Sequence, residues 1–100
     1  MKERRILELI GSGRTLFHYP LKACVLEGTG EFGVSVPKRN FKRAVRRNLL
    51  KRRVREAYRR NGARLTDKYD IFIYYIGKQA EEYGRIEKSL VEILDDLDPR

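Results

Sequence analysis

Six residues in one stretch have the types and the spacing to meet a row of phosphates: Arg47, Asn48, Lys51, Arg52, Arg55 and Arg59. Most stand three or four positions apart, so at about 100° per residue they fall on one arc of a helix. Five cations on one arc repel each other unless an anion lies along them. Guanidinium forks match phosphate oxygens, and each neutralised phosphate releases counterions, so a nucleic-acid backbone suits this arc. The Asn48 amide both donates and accepts, so it can orient neighbouring Arg side chains or the backbone. The plainer alternative is a soluble helix surface, but a merely soluble helix normally mixes signs.

No catalytic constellation accompanies this arc. His18 is the only histidine and Cys24 the only cysteine. A metal site needs more ligands, and a nucleophile–base pair needs both groups in one pocket. Read as one strand, residues 18 and 24 share a face but lie roughly 20 Å apart at about 3.3 Å per residue. Glu87, Glu92, Asp95, Asp96 and Asp98 read as the solvated side of a last helix, and no spacing among them singles out a Mg²⁺ site. Phe17 and Tyr19 share a face of the same strand beside the basic segment. Aromatic faces next to cations grip single-stranded nucleic acid by stacking and phosphate contact. The competing reading makes these two rings core. Tyr69, Tyr74 and Tyr75 read as core or sheet face.

The element that positions the arc spans residues 38–60, KRNFKRAVRRNLLKRRVREAYRR. It holds twelve of the 23 Lys and Arg residues and a single acid, Glu56; the rest of the chain carries a net −2, so the formal +9 is local. Good helix formers and the absence of Gly or Pro predict a helix, with Asn40 as N-cap and Asn61-Gly62 as its stop. Leu50, Val54, Ala57 and Tyr58 form its core flank, with Ala44 further round. Arg46, Arg53 and Arg60 read as a solvated face. Phe41, Val45 and Leu49 stand at four-residue spacing, which leaves Leu49 either core or at the margin of the basic arc.

Around this helix, Ile6, Leu7, Leu9 and Ile10 predict a short N-terminal helix ended by Gly11-Ser12-Gly13. TLFHYPLKACVLEG reads as a strand with Pro20 near its start or at an edge, and EFGVSV as a second strand stopped by Pro37. Gly28-Thr29-Gly30 between them reads as a hairpin turn. A polar linker, ARLTDK, leads to YDIFIYYI, whose nearly continuous apolar run predicts a central strand ended by Gly77. Ile86, Leu90, Ile93, Leu94 and Leu97 predict an amphipathic last helix on the sheet. The order helix, strand, strand, basic helix, strand, helix makes a small α+β sandwich.

One hundred residues with 41% apolar content make a single domain, residues 1–100, with a modest core. No run approaches the roughly 20 apolar residues of a membrane span, and the N-terminus lacks a secretory h-region. One cysteine precludes an internal disulfide and fits a reducing cytoplasm. A pI near 10.0 favours a polyanionic partner; heparin-like and membrane-surface partners stay open on charge alone.

The stretch GVSVPKRNFKRAVRRNLLKRRVREAYR resembles the bacterial ribonuclease P protein component. Ser35, Val36, Lys38, Ala44, Val45, Arg47, Asn48, Lys51, Arg52, Arg55 and Glu56 stand in matching places, and Tyr19-Pro20-Leu21 and Asp70-Ile71 also look like the family. The resemblance implies a mixed sheet in which the basic helix makes a left-handed βαβ crossover. The general rule favours the right-handed connection. It also implies a role as the protein subunit of a ribonucleoprotein endonuclease that matures the 5′ ends of tRNA in the cytoplasm. The active site and its Mg²⁺ ions would belong to the catalytic RNA. Lys38, Arg47, Asn48, Lys51, Arg52, Arg55 and Arg59 would contact that RNA. A cleft between sheet and helix, with Phe17 and Tyr19, would hold the single-stranded leader of precursor tRNA. Two departures stand out: Leu49 replaces a family cation, and Ile6 and Ile10 sit where the family usually has cleft aromatics. The alternative from another class is a stand-alone basic RNA-binding module, such as a ribosomal protein or an RNA chaperone.

Overall fold

Alternation along the strands sorts the chain into a closed and an open side. The computed structural model describes residues 1–65 and 68–99, with Arg64 in backbone alone. Thr66 and Asp67, within the expected linker, lie outside the described residues. The elements are α1 (Glu3–Ser12), β1 (Arg14–His18), β2 (Leu21–Glu27), β3 (Phe32–Ser35), α2 (Ala44–Asn61), a 3₁₀ turn (Ala63–Leu65), β4 (Tyr69–Tyr75) and α3 (Tyr83–Leu97). One sheet runs β1-β2-β4-β3. β3 and β4 are parallel, joined through α2, and the other pairs are antiparallel. The fold is therefore mixed α+β, with β4 central as its apolar run requires.

Three expectations change. The first strand is two strands, because Pro20 has no N–H to donate within a ladder and the chain turns there. The Tyr19-Pro20 peptide is cis, and β1 pairs back on β2 with Phe17 opposite Lys22. Consequently the Gly28-Thr29-Gly30 turn does not make a hairpin of β2 and β3, since β4 lies between them. The basic helix also starts later than residue 38. After Pro37 the amides of Asn40 and Phe41 both donate to the Pro37 carbonyl, so Asn40 sits in a turn and Arg43 takes the N-cap position without a side-chain cap. Arg47 braces this segment from within the helix, donating to the Phe41 and Lys42 carbonyls at 2.8 and 2.9 Å.

The closed side packs Leu21, Ala23, Val25, Ile71 and Ile73 against Leu50, Val54 and Ala57 of α2 and Ile86, Leu90, Ile93 and Leu94 of α3. Phe32 stacks on Tyr58 at 4.0 Å between centroids, tying β3 to α2. Ser89 is buried on α3 and donates to the Tyr19 carbonyl at 2.7 Å, which fixes the turn after β1. Asn61 ends α2 as expected, donating to the Ala57 carbonyl and to Glu87.

The Gly28–Glu31 loop is held by one carboxylate. Asp70, 3% exposed, accepts from the amides of Thr29, Gly30 and Glu31 and from Arg5 Nε at 2.8 Å. Burial pushes this carboxyl up, but the Glu31 amide, the Arg5 guanidinium and the Thr29 amide together hold it below its ordinary value. Gly28 is required here, because a Cβ on it would sit 2.2 Å from the Asp70 carboxyl carbon, and Gly30 adopts φ 100°. Pulled over the start of β4, the loop carries the chain past that strand to the far edge.

Candidate nucleic-acid interface

The helical phase read from the sequence places α2's apolar flank correctly. Leu50, Val54 and Ala57 are fully buried and Tyr58 is half-buried. Ala44 is exposed. On the arc, Asn48, Arg52, Arg55 and Arg59 are exposed, Lys51 and Arg47 are half-buried, and Lys38 is exposed in the turn before the helix. The cations are not equivalent. Arg52, Arg55 and Lys51 have no carboxylate partner among the described residues. Arg59 is engaged bidentately by Glu56, with Nε 3.0 Å from Oε2. That hydrogen bond is the main reason the Glu56 carboxyl lies below its usual range and the Arg59 guanidinium above its own. Arg47 is committed in part to its two backbone carbonyls.

One expected solvated cation is structural instead: Arg53 is half-buried and donates to the Glu81 carbonyl at 2.6 Å. Arg60 is exposed, as expected, and lies over the Tyr83 ring at 5.9 Å. Arg53 reaches the segment just before α3 and Arg60 the first residue of that helix. Arg46 is exposed, as expected. Of the Phe41–Val45–Leu49 stripe, Phe41 is core, Val45 is 79% exposed and Leu49 is half-buried. Val45 and Leu49 line a shallow depression of about 560 Å³ with Asn48, Arg52, Arg55 and Arg59. The stripe breaks because residue 41 precedes the helix and so does not obey its phase.

A second region opens on the other side of the sheet. α1 covers only one end of it, through Leu9 against Cys24 and Phe72. Beyond that end lies a cleft of about 360 Å³ lined by Ile10, Lys22, Ser35, Arg39, Asn40 and Tyr74, among others. Its walls are α1 and the segment before α2, so the helix bounding this cleft is not the basic one. Phe17 is 62% exposed and opposite Lys22 at its margin, so the core reading of this ring is excluded. Tyr19 is 53% exposed but lies in the turn, outside the strand whose face it was expected to share with Phe17. Ile10, in place of an aromatic, contributes an apolar wall without a stacking face.

Sequence reasoning missed Lys22, Arg39 and Asn40 as cleft residues. Lys22 was findable: taking Pro20 as a turn pairs it with Phe17. His18 and Cys24 face opposite sides, because Pro20 reverses the chain between them. His18 Nε2 meets Asp96 Oδ2 at 2.6 Å on the closed side, while Cys24 is buried on the α1 side. Glu87 is not merely solvated, since the Tyr83 hydroxyl and Asn61 amide both donate to it; the Asn61 bond is the chief cause of its lowered pKa. Among the described residues no group of three or more His, Cys, Asp or Glu could hold a metal ion, and no helix is long and apolar enough to cross a membrane.

Fold and surface together define a class: a small mixed-sheet α+β protein with its positive charge on one helix and an open aromatic sheet face. A family model described as Ribonuclease P matches residues 1–98, and the chain belongs to that family. The ribonuclease P protein component of Porphyromonas gingivalis is 42% identical over 65 residues, covering 59% of this chain and 47% of the relative. That of Thermotoga maritima is 44% identical over 52 residues, covering 52% and 44%. The chain thus spans about half the length of the relatives it matches. Two solved structures share the fold. The Staphylococcus aureus RNase P protein superposes with a TM-score of 0.83 at 20% identity, covering 98% of this chain and 93% of that one. The Thermotoga maritima protein gives 0.80 at 23%, covering 96% and 94%.

Proposed function

We propose that this chain is the protein subunit of a bacterial ribonuclease P, which binds a catalytic RNA and promotes removal of the 5′ leader from precursor tRNA. The observation that carries the reading is the set of exposed, carboxylate-free cations on α2, Arg52 and Arg55 foremost, in a chain of this family. Phosphates of the RNA subunit would line that arc, with Lys38, Asn48 and Lys51 adding contacts and Arg47 and Arg59 partly committed elsewhere. Cleavage chemistry and its Mg²⁺ ions are assigned to the RNA, and the protein contributes binding and position. The open cleft takes the single-stranded leader, with Phe17 as the stacking face and Arg39 and Lys22 as nearby cations. Tyr19, displaced into the turn, is a peripheral contact. Such a role places the protein in the cytoplasm with its RNA.

The test is reconstitution. Added to a bacterial ribonuclease P RNA at low Mg²⁺, the purified chain stimulates 5′ cleavage of precursor tRNA, while the chain alone cleaves nothing. Absence of stimulation at saturating protein, with the RNA active at high Mg²⁺, counts against this reading and for a generic RNA-binding module.

A further inference from the structure

Three side chains stand in register across the open face. Lys22 of β2 is paired with Phe17 of β1 on one side and with Tyr74 of β4 on the other. Its ammonium lies 5.5 Å from the centroid of the Phe17 ring and 5.6 Å from that of Tyr74. The Tyr74 plane is itself fixed by an edge-to-face contact with Phe72 at 5.0 Å. No carboxylate among the described residues lies within ion-pair distance of Lys22. A cation half-buried on an aromatic floor, with only ring quadrupoles for partners, is under-neutralised. The exposed Phe17 ring is the surface a nucleobase would stack on, and the ammonium stands at the edge of the space that base would fill.

We propose that Lys22 contacts the leader, its ammonium exchanging the two rings for a phosphate when single-stranded RNA enters the cleft. The inference rests on the assignment of the cleft to the leader. The flexible four-carbon stem lets the charge move while its methylenes stay on the sheet, and a phosphate is a stronger partner than a ring face. Stacking and charge neutralisation are thereby coupled through one residue. The base displaces the ammonium from Phe17, and the displaced ammonium meets the phosphate that arrives with the base. The free chain meanwhile keeps the ammonium over both rings.

The test uses the enzyme reconstituted with bacterial ribonuclease P RNA, and measures affinity for precursor tRNA bearing a single-stranded leader and for mature tRNA as a function of salt. Lys22→Met keeps the stem and removes the charge. It is expected to lower the precursor-to-mature affinity ratio on the order of tenfold. The log–log salt slope for the precursor should fall by about 0.7, the value for one single-strand phosphate. Lys22→Arg should restore most of the ratio, which a merely structural role would not require. In the full chain alone, the Lys22 ε-methylene resonances should be ring-shifted and should lose that shift when a single-stranded oligoribonucleotide is added. A ratio that is unchanged or raised in Lys22→Met, or a ring shift that persists with RNA bound, overturns the exchange. A wild-type enzyme that does not discriminate precursor from mature tRNA overturns instead the assignment of the cleft.

Discussion

The two faces of the sheet are built from alternate residues of the same strands and meet opposite fates. On one, Ala23, Ile71 and Ile73 are fully buried beneath α2 and α3. On the other, one turn of α1 shields Cys24 and Phe72, while Phe17, Lys22 and Tyr74 are left at an open cleft. The closed face carries the stability, because burying apolar area is the main favourable term of folding. The open face holds aromatic and cationic groups that a free-standing domain has no need to display together. The difference teaches that residues one position apart on a strand can belong to a packed core and to an open surface. α2 repeats the lesson on its own circumference, with Val54 buried and Arg55 exposed.

The largest expected effect breaks the closed face. Val54→Asp places a charge at a fully buried site, at a cost of several kcal/mol, on the order of the ~5–15 kcal/mol total stability of a domain. It should abolish cooperative melting rather than weaken RNA binding selectively. A folded Val54→Asp protein with normal melting would show that α2's phase is wrong.

Next is the loop clamp at the boundary between the two faces. Asp70→Asn removes the charge accepting from three amides and Arg5, and should cost about 2 kcal/mol at neutral pH. Since the folded-state pKa of Asp70 is depressed below 3.8, its contribution is present above the unfolded value and lost as pH falls through the folded one. The wild-type chain should therefore lose stability below about pH 4, and Asp70→Asn should show a shallower acid slope. The slope should not vanish, because Glu87 is also depressed. Chemical denaturation between neutral and acid pH reads both.

How far these parts are legible in the sequence depends on the range of the interaction that decides them. The apolar phase of α2 and α3 and the central place of β4 follow from local periodicity. The end of α2 at Asn61-Gly62 is written in the residues themselves. What could not be read depended on contacts distant in sequence. Asp70 holds a loop some 40 positions earlier, and that clamp, not the Gly28-Thr29-Gly30 turn chemistry, accompanies the passage of β3 beyond β4. Arg53 looked solvated because nothing local announces the Glu81 carbonyl that it meets. The place of Lys22 in the cleft stayed hidden for a different reason: a single proline, read as a strand position, concealed the pairing of Phe17 with Lys22.

Smaller effects sharpen the contrast within the basic arc. Arg55→Ala should lower the log–log salt slope of binding to ribonuclease P RNA by about 1, with melting unchanged. Arg59→Ala should lower it by less, since Arg59 must leave Glu56 to meet a phosphate. Equal changes would mean that the Glu56 pair does not persist against RNA. Smallest is Leu49→Arg. With Leu49 half-buried at the edge of the arc, this variant should change stability by less than about 1 kcal/mol and bind the RNA at least as tightly. A drop of many degrees in melting temperature would place that side chain in the core instead.

The division between the faces is tested most directly by Phe17→Ala. The measurement is the ratio of affinities of the reconstituted enzyme for leader-bearing precursor and for mature tRNA. Loss of one stacking platform, worth about 1–3 kcal/mol, should collapse the ratio roughly tenfold or more while melting and affinity for the RNA subunit stay as in the wild type. An unchanged ratio, or a ratio that falls only together with stability, would contradict the assignment of the open face to single-stranded RNA.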